Sequence, residues 1–135
     1  MTAYYGVLDI DTGIFHYANA GHPPPRWWPA APGRVEAVPN GAGPPLGIGL
    51  AQNYSQASIR LEPGDILVFF TDGLVEACSR GRGAFGIARL DTAIREGAAK
   101  GTEVVKRKVM DSWQKFLAGN PCQDDVTLVA LGRAR

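Results

Sequence analysis

The sequence predicts one mixed α/β domain, of the α+β kind, and three observations carry that reading. Residues 3–20 have the pattern of a β-hairpin, Ile66–Phe70 is an unbroken apolar run of strand length, and two amphipathic helical stretches follow one another, over 86–100 and from Thr102 until Gly119-Asn120-Pro121. The 135 residues, 45% hydrophobic and 20% charged, suffice for a single core that buries roughly 65–70% of the unfolded chain's surface.

In chain order, AYYGVLDI (3–10) and IFHYANA (14–20) are β-rich and are separated by Asp11-Thr12-Gly13, a turn with the glycine that hairpin loops favour. Short strands are expected at Arg26–Trp28 and Arg34–Val38, within a long irregular region rich in Gly and Pro that includes NGAGPPLGIG (40–49). Tyr54–Leu61 alternates as an edge or half-buried strand, and Glu62-Pro63-Gly64-Asp65 is a turn. Ile66-Leu67-Val68-Phe69-Phe70 reads as a strand buried on both faces and as the centre of the core.

Ile87, Leu90, Ile94 and Ala98 share a helical face, with Gly97 and Gly101 punctuating its end. Thr102 is placed as the N-cap of the next helix, whose stripe is Val105, Val109, Trp113, Phe116 and Leu117 and whose stop is Gly119-Asn120-Pro121. DVTLVALG (125–132) closes the chain as a strand.

Fourteen basic against thirteen acidic residues leave a net charge of +1, which argues against a nucleic-acid or membrane-surface binder. No apolar run approaches the roughly 20 residues of a membrane span, and the start lacks a signal-peptide profile. A soluble, cytoplasmic protein is expected. Cys78 and Cys122 have neither disulfide-scaffold number nor zinc-ligand spacing. They flank the acidic motifs, where redox control is conceivable, but the stronger reading makes each a small buried hydrophobe.

The chemistry concentrates at strand ends. Asp72 follows the buried run directly, and Asp124 and Asp125 precede the terminal strand. If those strands pair antiparallel, their acidic ends meet. Carboxylates that close share a proton or bind a hard divalent cation, for which Mg²⁺ or Mn²⁺ is the matched choice. Turn or capping roles are the plainer alternative for each aspartate taken alone.

Read in order, YYGVLDIDTG, YANAGHPPP, PPLGIG, LEPGDILVFFTDGLVEA, FG..RL and DDVTLVAL resemble the stage II sporulation E-like (RsbU-type) branch of the metal-dependent PP2C/PPM protein serine/threonine phosphatases. The resemblance covers about residues 3–131. It implies a sandwich of two antiparallel β-sheets flanked by helices. It also implies a two-metal Mn²⁺ or Mg²⁺ centre at which a metal-activated water attacks phosphoserine or phosphothreonine.

By the same resemblance Asp72 and Asp124 are metal-coordinating carboxylates and catalytic residues, Asp125 is a further metal residue, and Gly73 lets backbone pass close to the metals. Family members carry an upstream DxxGHG-like segment that binds both metals, and this sequence starts after the point where it would pass. Residues 1–135 are therefore expected to form one domain of this type lacking its N-terminal metal-binding segment. Sheet edges left open by that loss would be templates for pairing, so a homodimer is also expected.

Asn19 and His22 are supporting candidates. His22 could protonate a phosphate, but a structural hydrogen-bonding role is the commoner one, and Asn19 reads as a turn former. His16 reads as a surface strand residue. Trp27-Trp28 would either bind a partner or pack over a sheet edge. The lysines around Lys106-Arg107-Lys108 read as a solvated helix face. Arg80 and Arg82, in the loop after TDGLVEA, either recognise a phosphoprotein or form a flexible exposed loop.

The expected function is dephosphorylation of a regulatory phosphoprotein of the anti-sigma-factor antagonist type. The rival is a catalytically silent interaction module that keeps the C-terminal part of the phosphatase fold. A hydrolase built on His22 has no nucleophile elbow to support it.

Overall fold

Ile66–Phe70 (β7) is sandwiched on both faces, and the other layers are arranged around it. The fold is that of a computed structural model, which describes residues 1–31, 33–39, 42–48, 53–122 and 124–134. Asn40, Gly41 and Gly49 of the Gly/Pro-rich stretch lie outside the described residues.

The first sheet contains β1 (Ala3–Leu8), β2 (Ile14–Ala20), β5 (Ala42–Gly43) and β6 (Ala57–Arg60). β1 and β2 form the expected antiparallel hairpin, from Ala3 opposite Ala20 to Leu8 opposite Phe15. Its turn is held by the Asp9 carboxylate, which accepts from the backbone N–H groups of Asp11 and Thr12 at 3.0 Å each. β6 pairs antiparallel with β2. β5 departs from an all-antiparallel sheet, because it meets the end of β2 in a two-residue parallel contact.

The second sheet runs β10 (Leu128–Gly132), β7, β3 (Arg26–Trp28), β4 (Glu36–Ala37), all antiparallel. The sheets pack face to face through Phe15, Tyr17, Val38, Leu61 and Leu67, with Phe69, Trp27 and Leu131 alongside. Alternate residues of β7, namely Ile66, Val68 and Phe70, point the other way into the helical layer, as the two-residue period of a strand requires.

That layer consists of α1 (Asp72–Glu76), α2 (Gly86–Ala98) and α3 (Thr102–Leu117). Leu90, Ile94, Val105 and Val109 are fully buried against β7 and β10. Gly97 does not merely end a helix: a β-carbon there would lie 2.8 Å from Val105 Cα, so its bareness lets α2 and α3 touch. Gly101 rather than Thr102 is the N-cap of α3.

Among the described residues the helices cover one sheet alone, and on the hairpin Tyr5 and Val7 are exposed. No described helix is long and apolar enough to cross a membrane. The tryptophans pack rather than project, Trp28 against the helical core and Trp27 between the sheets.

Two polar ties fix β7 and its neighbour β3. Asp65, 2% exposed, accepts from Ala30 N, Glu62 N and the Trp27 indole. Arg26 makes a bidentate pair with Asp91 of α2, both contacts at 2.7 Å, the stronger geometry for a guanidinium and a carboxylate.

Between the sheets the Tyr4 hydroxyl is buried and has no hydrogen-bond partner among the described residues. Burial, with repulsion from Tyr17 second, raises its pKa, and burial raises that of Tyr17 as well. A phenol whose folded value lies above its unfolded value, near 10, contributes full stability below about pH 10 and loses it as the pH climbs through the folded value. Tyr4→Phe is therefore expected to leave stability at pH 7 unchanged or raised, and to flatten the alkaline loss, in urea denaturation at pH 7 and about pH 10.5.

Candidate functional site

The β7–β10 ladder runs from Ile66 opposite Gly132 to Phe70 opposite Leu128, and it continues one step beyond both strands. Thr71 N donates to Thr127 O at 3.2 Å, and Thr127 N donates to Thr71 Oγ1 at 3.0 Å. Thr71 Oγ1 in turn donates to Asp125 O at 3.2 Å. Thr71 thus clamps the 124–127 segment against the start of α1, a role the sequence reading did not assign to it.

The antiparallel meeting of acidic strand ends that the sequence predicts is present, and it depends on Gly73. A β-carbon at this position would lie 2.5 Å from Asp125 O and 3.3 Å from Asp124 Cβ. The glycine is buried in α1 with nothing between it and the opposing backbone. Asp72 opens α1 as its first-turn acidic residue, where a carboxylate suits the helix N-terminus, and its Oδ1 accepts from Gly73 N at 2.9 Å. Asp124 Oδ1 accepts from Asp125 N at 2.8 Å. All three aspartates are exposed.

Gly73, Glu76, Ala77, Cys78, Cys122 and Asp124 line one cavity of about 270 Å³. Asp72 stands beside it, and Asp125 approaches through its backbone carbonyl. Glu76 is not singled out by the sequence: its four-residue spacing from Asp72 puts the two on one face only once α1 is known to be a helix, and α1 is too short to announce itself. Larger cavities lie on the open face of the hairpin sheet, about 430 Å³ around Tyr5, Val7 and Tyr54, and at the α2–α3 turn, about 340 Å³.

Both cysteines are exposed, which overturns the expectation that they are buried hydrophobes. Their stretches border the cavity, and each thiol donates to a nearby carbonyl, Cys78 to Glu76 O at 3.2 Å and Cys122 to Asp124 O at 2.9 Å.

Asn19 and His22 sit at the end of β2, on the hairpin sheet. Asn19, 5% exposed, accepts from His22 N at 2.8 Å and donates to His22 O at 2.9 Å, which closes the turn as a structural residue. The His22 ring pairs with Thr2 Oγ1. His16 is exposed on its strand beside Gln56.

Among the described residues no three His, Cys, Asp or Glu side chains are grouped to hold a metal ion. Asp72 and Asp124 are oxygen donors of the right kind for Mg²⁺ or Mn²⁺, but they make a partial set, and an ion held by so few carboxylates keeps most of its water. Among the described residues the donors do not amount to a complete metal shell.

Comparison with known proteins adds to the geometry. Residues 1–134 match the family model described as Stage II sporulation protein E (SpoIIE). The chain is 30% identical over 133 residues to Phosphoserine phosphatase RsbU of Bacillus subtilis (strain 168), covering 98% of this chain and 39% of that protein. It superposes on the crystal structure of the RsbU and RsbW domains of Rv1364c from Mycobacterium tuberculosis with a TM-score of 0.78 and 32% identity, over 98% of this chain and 36% of that one. The SiaA-PP2C domain of Pseudomonas aeruginosa shares the fold, with a TM-score of 0.81 at 21% identity, over 97% of this chain and 51% of that one. The chain therefore spans well under two-thirds of each.

Gly73→Ala is expected to cost about 1–3 kcal/mol, the usual cost of adding a methyl where there is no room, because the backbone at Asp125 must move away. Chemical denaturation checks the cost. Faster amide exchange at Thr127 in the variant checks that the clamp has loosened.

Proposed function

This chain belongs to the stage II sporulation protein E (SpoIIE) family, whose solved members have the PP2C-type phosphatase fold, and from that premise we propose that it serves the hydrolysis of phosphoserine or phosphothreonine on a regulatory protein. Residues 1–135 are read as the C-terminal portion of such a phosphatase domain. One observation carries the proposal: the Gly73 approach sets Asp124 of the β10 side against the start of α1, beside Asp72.

In this reading Asp72 and Asp124 would each offer a carboxylate to Mn²⁺ or Mg²⁺, and the carbonyl of Asp125 stands where a neutral oxygen is available. Such cations, when bound, supply Lewis-acid stabilisation of phosphoryl oxygens and an acidified water. What the chain itself contributes is position. Asp72 follows the end of β7 directly and Asp124 lies in the stretch leading into β10 that Thr71 clamps, so the hydrogen-bonded β7–β10 ladder anchors both from nearby. A phosphorylated regulatory protein of the anti-sigma-factor antagonist type is the proposed substrate, by analogy with the phosphoserine phosphatase named above.

The partial donor set favours a second reading, in which this chain binds its partner without turnover. Hydrolysis of a phosphoserine peptide with and without Mn²⁺, alongside calorimetric Mn²⁺ titration, separates the two. The phosphatase reading expects Mn²⁺-dependent turnover that falls by at least about a hundredfold in Asp72→Asn and in Asp124→Asn. Absence of turnover in the parent chain, or turnover indifferent to either substitution, overturns it.

A further inference from the structure

The stretch between α1 and α2 is a short hairpin, β8 (Cys78–Ser79) and β9 (Gly83–Ala84), with Arg80-Gly81-Arg82 at its tip. We propose that this hairpin is a docking element for an acidic segment of a protein substrate, with Arg80 and Arg82 as the residues that recognise it. The proposal rests on the phosphatase reading for the identity of the partner, though not for the binding itself.

The hairpin is built rather than loose. Cys78 faces Ala84, Ser79 faces Gly83, Arg82 N donates to Ser79 O at 3.0 Å, and Phe85 N donates to Ala77 O at 2.8 Å. Its base is anchored at two points. Phe85 is fully buried, and the 6%-exposed Ser79 receives Asn120 Nδ2 at 3.3 Å from the end of α3. Gly81 (φ 75°) and Gly83 (φ 70°) make a turn that other residues rarely adopt. The expectation of a flexible exposed loop is therefore corrected in its first half: the tip is exposed, but its base is tied down.

Both tip arginines are exposed, and neither has an ion pair or a side-chain hydrogen bond among the described residues. Arg26, Arg34 and Arg60 are paired with carboxylates, and Arg89 is spent on two carbonyls and the face of Phe116. Arg107 is also exposed, on α3. What distinguishes Arg80 and Arg82 is their place: Cys78, at the foot of their hairpin, lines the same cavity as Asp124, Glu76 and Gly73.

The layout of charge selects the ligand. Two guanidinium forks one glycine apart suit successive carboxylates of an extended segment, since each fork grips a carboxylate bidentately. A net charge of +1 supplies no wide positive field for a long polyanion. These features disfavour nucleic acid and favour a peptide whose acidic residues flank the phosphorylated side chain.

The test uses the full chain and two fluorescent phosphoserine peptides of equal length, one flanked by Asp and Glu, the other by Gln and Ala. Anisotropy titrations at low and physiological salt give their affinities. The parent chain is expected to prefer the acidic peptide by about tenfold, with a preference that shrinks as salt rises. Arg80→Glu/Arg82→Glu abolishes it and Arg107→Glu, a charge reversal away from the cavity on α3, retains it, with thermal melts confirming that all three proteins fold alike.

Equal binding of both peptides, no binding of either, or equal loss in the Arg107→Glu control overturns the proposal. Hydrolysis of the same peptides is read separately. Arginine-dependent binding without turnover would leave the docking element standing and defeat the phosphatase reading. Turnover with no dependence on the tip arginines would do the reverse.

Discussion

The structure depends on one close approach, that of the Asp124–Asp125 backbone to Gly73. A single added carbon would come within 2.5 Å of the Asp125 carbonyl, so the two acidic strand ends face one another only because residue 73 has no side chain. The ladder between β7 and β10 sets up this contact, and the Thr71 hydroxyl secures it by accepting from one side of the incoming segment and donating to the other. The same arrangement opens the cavity shared by α1, the foot of the β8–β9 hairpin and the stretch around Cys122.

Such a contact needs a rigid platform. β7 is flanked by strands at both edges and covered on both faces, by the hairpin sheet and by the helices. Its leading end is fixed by Asp65, and its neighbour β3 is tied to α2 by Arg26 and Asp91. Buried polar groups of this kind are stable when fully satisfied, and Asp65 is satisfied by three donors. Side chains carried at the end of this strand are held more closely than any loop would hold them.

Much of this was legible in advance. The five apolar residues of β7 announce a strand buried on both faces, and the helical stripes of α2 and α3 name the residues that cover it except Ile87, which at the start of α2 is 39% exposed instead of facing the core. The turn-forming role expected of Asn19 is the one it fills, through its two bonds to the His22 backbone. Other features were not legible. Free cysteines are usually buried, yet Cys78 and Cys122 are exposed because the stretches that bear them border an open cavity. Gly97 has the look of a helix stop, but its purpose is contact between helices, which depends on where α3 returns. α1 is one turn long and too short for periodicity to reveal, so Glu76 went unnoticed.

The sequence by itself determined the kinds of element, the order in which they come, the central strand and the family, because side-chain period, turn chemistry and short motifs are local properties of the chain. Only the tertiary structure decided which acidic groups meet, that the thiols are open to solvent and that two arginines with no ion pair among the described residues stand on an anchored hairpin beside them. Those outcomes depend on the register between strands 58 residues or more apart and on the space left where layers pack. Neither is encoded by any single segment until its partner is in place.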